Sequence, residues 1–359
     1  MINRHLFVDI SAHGFGHLAQ VAPVLEALVE RRPNLRITLR SGLPIERLRS
    51  RLRPPFTHLA GRSDFGYVMH DAVNLDLSAT ATAYRRQHAD WSDQVEREAA
   101  LLGALRPDLV LSDVAYLPLA GAARLGVPAV AMCSLNWAEL FDHFYSQESW
   151  ALAIHQQMLA AYRNAACFLR LTPAMPMADL PNRRGIAPVA TLGQDRSRSL
   201  RQQLQCADDE RLIWIGFGGF DRPLPIDDWQ PQPGCHWLIP QSWASSRSDT
   251  TAIETLGLSI ADLMASVDAV ITKPGYGTFT EAACNGTAVI YQRRPDWPEQ
   301  HCLIEWLQHN ARCQEISPVD LFAGKLAETL TAVWQQPSSR RPCPTGAAEA
   351  AEILLTWLS

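Results

Sequence analysis

Residues 5–31 read HLFVDISAHGFGHLAQVAPVLEALVER, which is a strand-like run, a glycine-rich turn and a helix-like run in succession. The apolar run at 5–11 is typical of a buried strand, and residues 18–31 repeat their apolar side chains at helical spacing. Pro23 lies in the first turns of that helix, where proline is tolerated. A strand that leads directly into a helix predicts a βα unit of a parallel sheet.

The same alternation continues along the chain and predicts an α/β protein. Further strands are expected at 35–41, 108–113, 128–134, 235–240 and 287–294, together with a strand running into a glycine turn at 211–219 and a strand with its loop at 268–277. Further helices are expected at 91–105, 259–267, 278–286 and 347–359. The proline- and arginine-rich loop 172–198 separates two series of elements, so two doubly wound, Rossmann-like domains are predicted.

We predict domains at residues 1–188 and 189–345, with a C-terminal helix at 346–359 that could pack back on the first domain. Ligands of such sheets bind beyond the carboxyl ends of the strands. Two domains that face each other in this way would define a cleft.

Composition excludes several classes of protein. The chain has 359 residues and is 47% hydrophobic, which suffices for two hydrophobic cores. Its net charge of −5 does not suggest nucleic-acid binding. With no signal peptide and no apolar run of bilayer length, a cytoplasmic protein is expected. Eight cysteines occur singly, without a C-x-x-C pair, and are predicted to be reduced thiols.

One segment has a strong charge bias. Residues 31–53 hold eight arginines and a single acid, Glu46. The simpler interpretation is a solvated helix face with strand ends. The alternative is a patch for an anionic acceptor or for peripheral contact with a membrane surface.

The stretch ITKPGYGTFTEAAC, residues 271–284, places Gly275 and Gly277 between a predicted strand and a helix N-terminus. Backbone N–H groups at such a turn suit a phosphate or pyrophosphate. Glu281, about one helical turn further on, could bond a ribose diol. Glycine-rich turns between strand and helix are common, so an ordinary turn remains an equal alternative.

Glu299 and Gln300 follow a predicted strand and a proline-containing loop, just before an apolar helix. An adjacent carboxylate and amide suit the hydroxyl groups of a sugar. Capping of the helix by Glu299 is the alternative.

In HGFGH, residues 13–17, Gly14 and Gly16 favour a turn, so His13 and His17 are not expected to form a helical zinc pair. The chain has no D-x-D pair, and no metal is predicted.

His17 begins a helix and could act as a general base. Asp113 ends the strand DLVLSD at the same sheet edge and could fix the tautomer of the imidazole. Capping or ordinary hydrogen bonding by each residue is the alternative.

Together these motifs resemble a known superfamily. HGFGH, SDV at 112–114, KPGYGTFTEA at 273–282 and PEQ at 298–300 occur in the order found in GT-B glycosyltransferases. The chain is similar to UDP-glycosyltransferases and the peptidoglycan N-acetylglucosaminyltransferase. With its Asn136-Trp137 pair, it looks most like the glycosyltransferase-like amino-terminal part of plant-type arabinokinases. The resemblance covers nearly the whole chain.

The resemblance implies a GT-B fold, with His17 as the base that deprotonates an acceptor hydroxyl and Asp113 as the residue that orients it. It implies donor binding by Gly16, Gly218, Gly219, Ile239, Lys273, Gly275, Tyr276, Gly277, Thr278, Glu281, Glu299 and Gln300. Within that set, Glu281 would hold the ribose, the 299–300 pair the sugar, and the backbone of Ile239 the nucleobase. Lys273 stands where many members have histidine, and it could pair with phosphate charge.

For the acceptor, the first domain offers His13, Phe15, Asp64, Asn136 and Trp137, although Trp137 could equally belong to the core. The resemblance predicts an inverting, metal-independent transferase that uses a UDP- or dTDP-sugar as co-substrate and no other cofactor. A non-catalytic nucleotide-sugar-binding module and a nucleotide-sugar epimerase are the alternatives. The acceptor itself stays open.

Overall fold

The computed structural model describes residues 4–70, 74–217 and 223–359, and the chain divides into two compact units. The first unit holds the described parts of 1–70, together with 75–189 and 344–359, and the second holds Asn74 and the described parts of 190–343. Gly218 and Gly219, which were predicted to bind the donor, lie outside the described residues.

In the first unit, the strands are β1 (His5–Ile10), β2 (Arg36–Ser41), β3 (Thr57–Ala60), β4 (Leu109–Asp113), β5 (Ala129–Cys133), β6 (Cys167–Arg170) and β7 (Arg183–Gly185). The helices are α1 (Phe15–Arg31), α2 (Ile45–Arg51), α3 (Leu77–His88), α4 (Trp91–Leu105), α5 (Leu117–Leu125), α6 (Trp137–Tyr145) and α7 (Ala151–Asn164).

In the second unit, the strands are β8 (Arg211–Ile215), β9 (Cys235–Ile239), β10 (Thr250–Ala252), β11 (Ala269–Thr272), β12 (Ala288–Tyr291) and β13 (Cys313–Glu315). The helices are α8 (Ser197–Leu204), α9 (Ile260–Ser266), α10 (Tyr276–Asn285), α11 (Glu299–Asn310), α12 (Pro318–Phe322) and α13 (Ala327–Gln335). The last helix, α14 (Gly346–Leu358), belongs to the first unit.

The sheet of the first unit has the strand order β3-β2-β1-β4-β5-β6-β7, and its strands pair in parallel throughout the described residues. From β1, the chain adds β2 and β3 towards one edge of the sheet and then β4 to β7 towards the other edge. Ile10 is level with Asp113 in the register of these two strands. Such a reversal opens a crevice at the carboxyl edge of the sheet, where ligands of doubly wound folds bind.

The sheet of the second unit has the order β10-β9-β8-β11-β12-β13 and reverses between β8 and β11. Its strands bury a core that includes Ile213, Trp237 and Ile271. Thr272 pairs with Tyr291, and the N–H of Gln292 donates to the carbonyl of Thr272 at 3.0 Å. The segments after β11 and β12 therefore leave the sheet side by side.

Helix α14 packs against α1. The N–H of Gly346 donates to the carbonyl of Pro188 at 3.1 Å, and Arg32 and Arg4 donate to the carbonyl oxygens of Leu358 and Ser359. Cations at a helix C-terminus satisfy carbonyl groups that lack intrahelical partners. Both ends of α14 are thus bonded to the first unit.

The arginines of 31–53 do not form one uniform surface. Arg40 is buried between Asp9 at 2.5 Å and Glu98 at 2.6 Å, and Arg36 donates to the ring of His5. Contact of the exposed remainder with a membrane surface stays a prediction. Among the described helices, none combines the length and the apolar character needed to cross a membrane.

Candidate active site

The first turn of α1 contains part of the HGFGH motif. Gly14 has an extended backbone and precedes the helix, which begins at Phe15. The helix was predicted to begin at residue 18, after a loop formed by the whole motif, and it begins three residues earlier. Gly16 is exposed, and a Cβ placed there would meet nothing within 4 Å, so this helical turn is uncrowded. His13 precedes the helix and His17 lies in it, so the two histidines do not share one helical face.

His17 and Asp113 lie together at the crevice of the first sheet. Nδ1 of His17 lies 3.2 Å from Oδ1 and 3.1 Å from Oδ2 of Asp113. Asp113 has no exposed surface, and His17 is 6% exposed. In the part of the chain that the structure describes, Nε2 of His17 has no hydrogen-bond partner. Because Nδ1–H donates to the carboxylate, Nε2 carries the lone pair that can accept a proton.

Burial by itself lowers the pKa of His17, but the Asp113 carboxylate raises it, and the net pKa lies well above the usual value. Cys133 is the third member of this group, with its Sγ 3.9 Å from Nδ1 of His17. Burial raises the pKa of the Cys133 thiol to about 11, so it stays protonated at neutral pH. Sequence reasoning did not single out Cys133, which ends the neighbouring strand β5.

Two sets of potential metal ligands occur among the described residues. Ligand atoms of His17, Asp113 and Cys133 lie within 4.8 Å of one another, and so do those of Cys206, Glu210 and His236 in the second unit. In the first set, the histidine and the aspartate already bond each other. Metal-independent chemistry stays a prediction.

Asp64 and Trp137 form a buried pair beside His17. Nε1 of Trp137 donates to Oδ2 of Asp64 at 2.7 Å, and Oγ of Ser11 donates to Oδ1 at 3.1 Å. Trp137 has no exposed surface, and its ring centroid lies 5.4 Å from that of His13 and 6.0 Å from that of His17. Burial, together with the charge of Asp9, raises the pKa of Asp64 to about 6. Trp137 is therefore a core residue, and acceptor contact by it stays a prediction.

The other predicted acceptor residues differ in how much they are exposed. Asn136 is 1% exposed and caps α6, accepting from the N–H of Glu139 at 2.8 Å. His13 accepts from the N–H of Tyr67 at 3.4 Å, and Phe15 lies 5.2 Å from the guanidinium of Arg47. His13 and Phe15 are only half-buried.

In the second unit, the predicted phosphate loop is shorter than its sequence suggested. Gly275 is the N-cap of α10, and Tyr276, Gly277 and Thr278 form the first turn of that helix. The expectation that the helix begins at residue 278 is corrected by two residues. N–H groups of a first helical turn have no intrahelical partners and attract anions.

Two cations lie close to this helix start. Lys273 follows β11, and Arg294 comes three residues after β12. Burial and the charge of Arg294 lower the pKa of Lys273 to about 7, and burial lowers the pKa of Arg294 to about 10 although Glu299 opposes the shift. Nε of Arg294 is buried without a hydrogen-bond partner among the described residues. Sequence reasoning missed Arg294, because an arginine after a strand is no signal by itself.

Gln300 holds the loop that carries Arg294. Its Oε1 accepts from the N–H of Arg294 at 2.9 Å, and its Nε2 donates to the carbonyl of Arg294 at 2.7 Å. Glu299 accepts from Nε1 of Trp297 at 3.0 Å, and that ring centroid lies 4.1 Å from the Arg294 guanidinium. Glu299 and Gln300 begin α11 and are buried. Sugar contact by this pair stays a prediction.

Glu281 lies in the second turn of α10 and is 3% exposed. Ile239 ends β9 with its side chain in the core, so only its backbone could serve a nucleobase. Binding of ribose or base by these two residues stays a prediction.

Comparison with known proteins places these units in a recognised fold. No protein-family model matches the chain. The chain is 24% identical over 357 residues to L-arabinokinase of Arabidopsis thaliana, covering 96% of this chain but only 33% of that protein. The chain thus spans about a third of this relative.

Among solved structures, a glycosyltransferase of kitacinnamycin is 14% identical with a TM-score of 0.61, covering 100% of both chains. UGT89C1 of Arabidopsis thaliana in complex with UDP is 13% identical with a TM-score of 0.58, covering 98% of this chain and 94% of that one. A UDP-N-acetylglucosamine 2-epimerase is 12% identical with a TM-score of 0.57, covering 99% and 96%. The predicted α/β class, the GT-B fold and the resemblance to arabinokinase are confirmed.

Proposed function

Because the chain has the GT-B fold, we propose that it transfers a sugar from a nucleoside-diphosphate sugar to an acceptor hydroxyl, with inversion and without a metal. The observation that carries this proposal is the buried His17–Asp113 pair, in which Nε2 of the imidazole is not bonded to any of the described residues. L-arabinokinase is three times longer than the matched region, so no kinase activity is carried over to this chain.

The first unit would activate the acceptor. Asp113 holds Nδ1–H, which directs the basic Nε2 of His17 to the acceptor hydroxyl. As Nε2 takes the proton, the hydroxyl oxygen attacks the anomeric carbon and the bond to the diphosphate oxygen breaks on the opposite face. The configuration at that carbon inverts. Asp113 stabilises the imidazolium that forms.

The second unit would bind the donor and stabilise the leaving group. The first turn of α10 and the cations Lys273 and Arg294 favour the negative charge that develops on the diphosphate. In this scheme Gln300 acts by holding the backbone of Arg294. A UDP-sugar is the first donor to test, since a fold neighbour binds UDP, and dTDP-sugars are the second.

The first experiment is a thermal-shift screen against UDP-, dTDP-, GDP- and ADP-sugars, because a ligand that binds the native state raises the melting temperature. The stabilising donor is then used to compare the wild type with His17→Ala and with His143→Ala, an exposed histidine of the same unit. We expect His17→Ala to keep the thermal shift and lose transfer, and His143→Ala to keep both. No shift with any donor, or equal transfer by His17→Ala, would refute the proposal. Donor binding without transfer by the wild type would favour the non-catalytic module.

A second candidate is epimerisation, which the epimerase among the fold neighbours favours. An epimerase converts UDP-N-acetylglucosamine without an acceptor, whereas the proposed transferase needs one. Incubation of the protein with this donor alone separates the two functions.

A further inference from the structure

We infer that Cys206, Glu210 and His236 of the second unit bind a zinc ion, at a site that is separate from the proposed reaction. Each residue offers one ligand atom, and these three atoms lie within 4.8 Å of one another. A cysteine sulfur, a carboxylate oxygen and an imidazole nitrogen are the ligand types that zinc takes in proteins. Magnesium and calcium prefer oxygen ligands, so this mixed set favours zinc over either of them.

A short turn between α8 and β8 brings Cys206 and Glu210 together. The N–H of Cys206 donates to the carbonyl of Arg201 at 3.0 Å as the helix ends. The N–H of Glu210 donates to the carbonyl of Ala207 at 3.1 Å, and Oε2 of Glu210 accepts from the N–H of Ala207 at 3.2 Å. The turn therefore fixes the carboxylate beside the thiol. The nearby helix C-terminus carries partial negative charge, which also favours a cation.

The register of the second sheet adds His236 to this pair. Strands β8 and β9 are parallel, with Leu212 opposite His236. Alternate residues of a strand share one face of the sheet. Glu210, two residues before Leu212, therefore lies on the side of His236, and Nδ1 of the imidazole is 4.0 Å from Oε1 of the carboxylate. The neighbouring thiol of Cys235 belongs to the hydrophobic core instead.

The imidazole of His236 is oriented through its second nitrogen. Nε2 lies 2.8 Å from Oγ1 of Thr251. When Nε2–H donates to this hydroxyl, the lone pair is on Nδ1, the nitrogen that faces Glu210. Histidines that bind metals usually donate their other N–H to such a partner, which fixes both the tautomer and the direction of the ring. Thr251 is therefore a positioning residue of the proposed site.

The spacing and the charge of the site both suit zinc. Tetrahedral bonds of about 2.1 Å set a nitrogen and an oxygen ligand roughly 3.4 Å apart, which small side-chain rotations reach from 4.0 Å. As zinc binds, the thiol of Cys206 releases its proton to solvent, and the thiolate and the carboxylate then balance the charge of the ion. Arg201 is already paired with Asp268 at 2.6 Å. The side chain of Glu210 is 24% exposed, so water can reach the ion as a fourth ligand.

The proposed site lies at the opposite end of the second sheet from the proposed phosphate site. Glu210 precedes β8 and His236 is near the start of β9, whereas α10 begins after the carboxyl end of β11. A strand of five residues, such as β8, spans roughly 16 Å. The ion would therefore not touch the reacting atoms. It would join the turn after α8 to β9 and stabilise the native second unit.

The test uses the full chain, kept reduced and freed of metal with a chelator, and Co²⁺ as a spectroscopic substitute for Zn²⁺. A cobalt ion bound by a thiolate has a charge-transfer absorption band in the near ultraviolet. We expect this band for the wild type and its loss in Cys206→Ser, a small change in a half-buried turn. Cys343→Ser, at an exposed cysteine of the same unit, is the matched control and should keep the band.

Thr251→Val tests the orientation of the imidazole. The substitution removes the partner of Nε2 and keeps the shape of the side chain, so the affinity for Zn²⁺ should fall by about 10- to 100-fold. A chromophoric chelator that competes for Zn²⁺ measures this affinity. Zn²⁺ should also raise the melting temperature of the wild type more than that of Cys206→Ser.

Several results would overturn the inference. They are the absence of cobalt binding, binding without the thiolate band, and a band that Cys206→Ser retains or that Cys343→Ser loses. A retained band would place the ion elsewhere, for example at His17, Asp113 and Cys133. An affinity that Thr251→Val leaves unchanged would remove His236 from the site and overturn the inference as well. The inference does not depend on the proposed function, which the comparison of His17→Ala with the wild type tests separately.

Discussion

Replacement of Asp64 by asparagine should stabilise the first unit at neutral pH. The carboxylate is 8% exposed, and burial together with the charge of Asp9 raises its pKa from 3.8 to about 6. Ionised Asp64 is therefore disfavoured in the folded protein. Asparagine keeps an oxygen that can accept from Nε1 of Trp137 and carries no charge.

The size of the effect on the free energy of unfolding follows from the shift in the pKa of Asp64. The difference between about 6 and 3.8 is about 2.2 units, and at about 1.36 kcal/mol per unit this corresponds to about 3 kcal/mol. Because the pKa of Asp64 is raised in the folded state, protonated Asp64 contributes this free energy to folding in full below pH 3.8, and the contribution is lost as the pH rises through about 6. By the same linkage relation, wild-type stability falls by about 1.4 kcal/mol from this group between about pH 5 and about pH 7.5.

Urea unfolding of the wild type and Asp64→Asn at these two pH values measures the effect, with one transition fitted for each unit. The advantage of the variant should grow by about 1.4 kcal/mol towards the higher pH, because asparagine does not titrate. Asp93→Asn, at an exposed position of the same unit, controls for the loss of one negative charge. A stability difference that is independent of pH, or a variant that is destabilised more at neutral than at acidic pH, would refute the reasoning.

Three further outcomes are expected. The rate of transfer should rise with pH through an apparent pKa above the usual value for histidine, because His17 must lose its proton to act as a base. Asp113→Asn should move this rise in rate to lower pH and slow transfer by about 10²-fold or more. A pH–rate profile of Asp113→Asn that rises at the same pH as the wild type would contradict this. UDP should bind more weakly as the pH rises through about 7, where Lys273 loses its proton, and Lys273→Arg should remove this dependence; equal wild-type affinities in titration calorimetry on both sides of pH 7 would argue against it. Gly346→Ala places a Cβ 2.0 Å from the backbone carbonyl oxygen of Ala187 and should destabilise the first unit by about 1–3 kcal/mol. The Cβ of Gly185→Ala meets nothing within 4 Å, so this variant should melt like the wild type. Equal melting temperatures of the two variants would contradict the close approach of Gly346 to that carbonyl.

The boundaries of many elements could be predicted from the sequence, because they depend on local patterns. Helix α4 was predicted with the bounds that the structure shows, and β1 and β9 differ from their predictions by one residue each. The buried run of β4 and the glycine after β11 were also local signals. The start of α1 was missed, since two glycines argued against a helix that begins at Phe15.

The partners of the site residues were harder to predict than the residues themselves. Asn136 and Trp137 were predicted to contact the acceptor, with a core role of Trp137 as the alternative. In the structure Asn136 caps a helix and Trp137 is a core ring, and acceptor contact by either residue stays a prediction. Gln300 was predicted to hold a sugar, and its amide closes a loop around Arg294. A side chain that could bond a ligand can equally bond the protein, and its sequence position does not distinguish the two.

By itself, the sequence determined the α/β class of the fold and offered His17 and Asp113 as candidates, because periodicity and glycine placement act over a few residues. Lys273 became a candidate only through the resemblance to GT-B glycosyltransferases. The expected pairing of His17 with Asp113 spans 96 positions of the chain. Only the tertiary structure gave its distances, placed Cys133 beside it and brought Arg294 near Lys273. These contacts depend on which strands become neighbours and on how they are aligned. That order results from the burial of both faces of each sheet, which is a property of the whole unit and of no single segment.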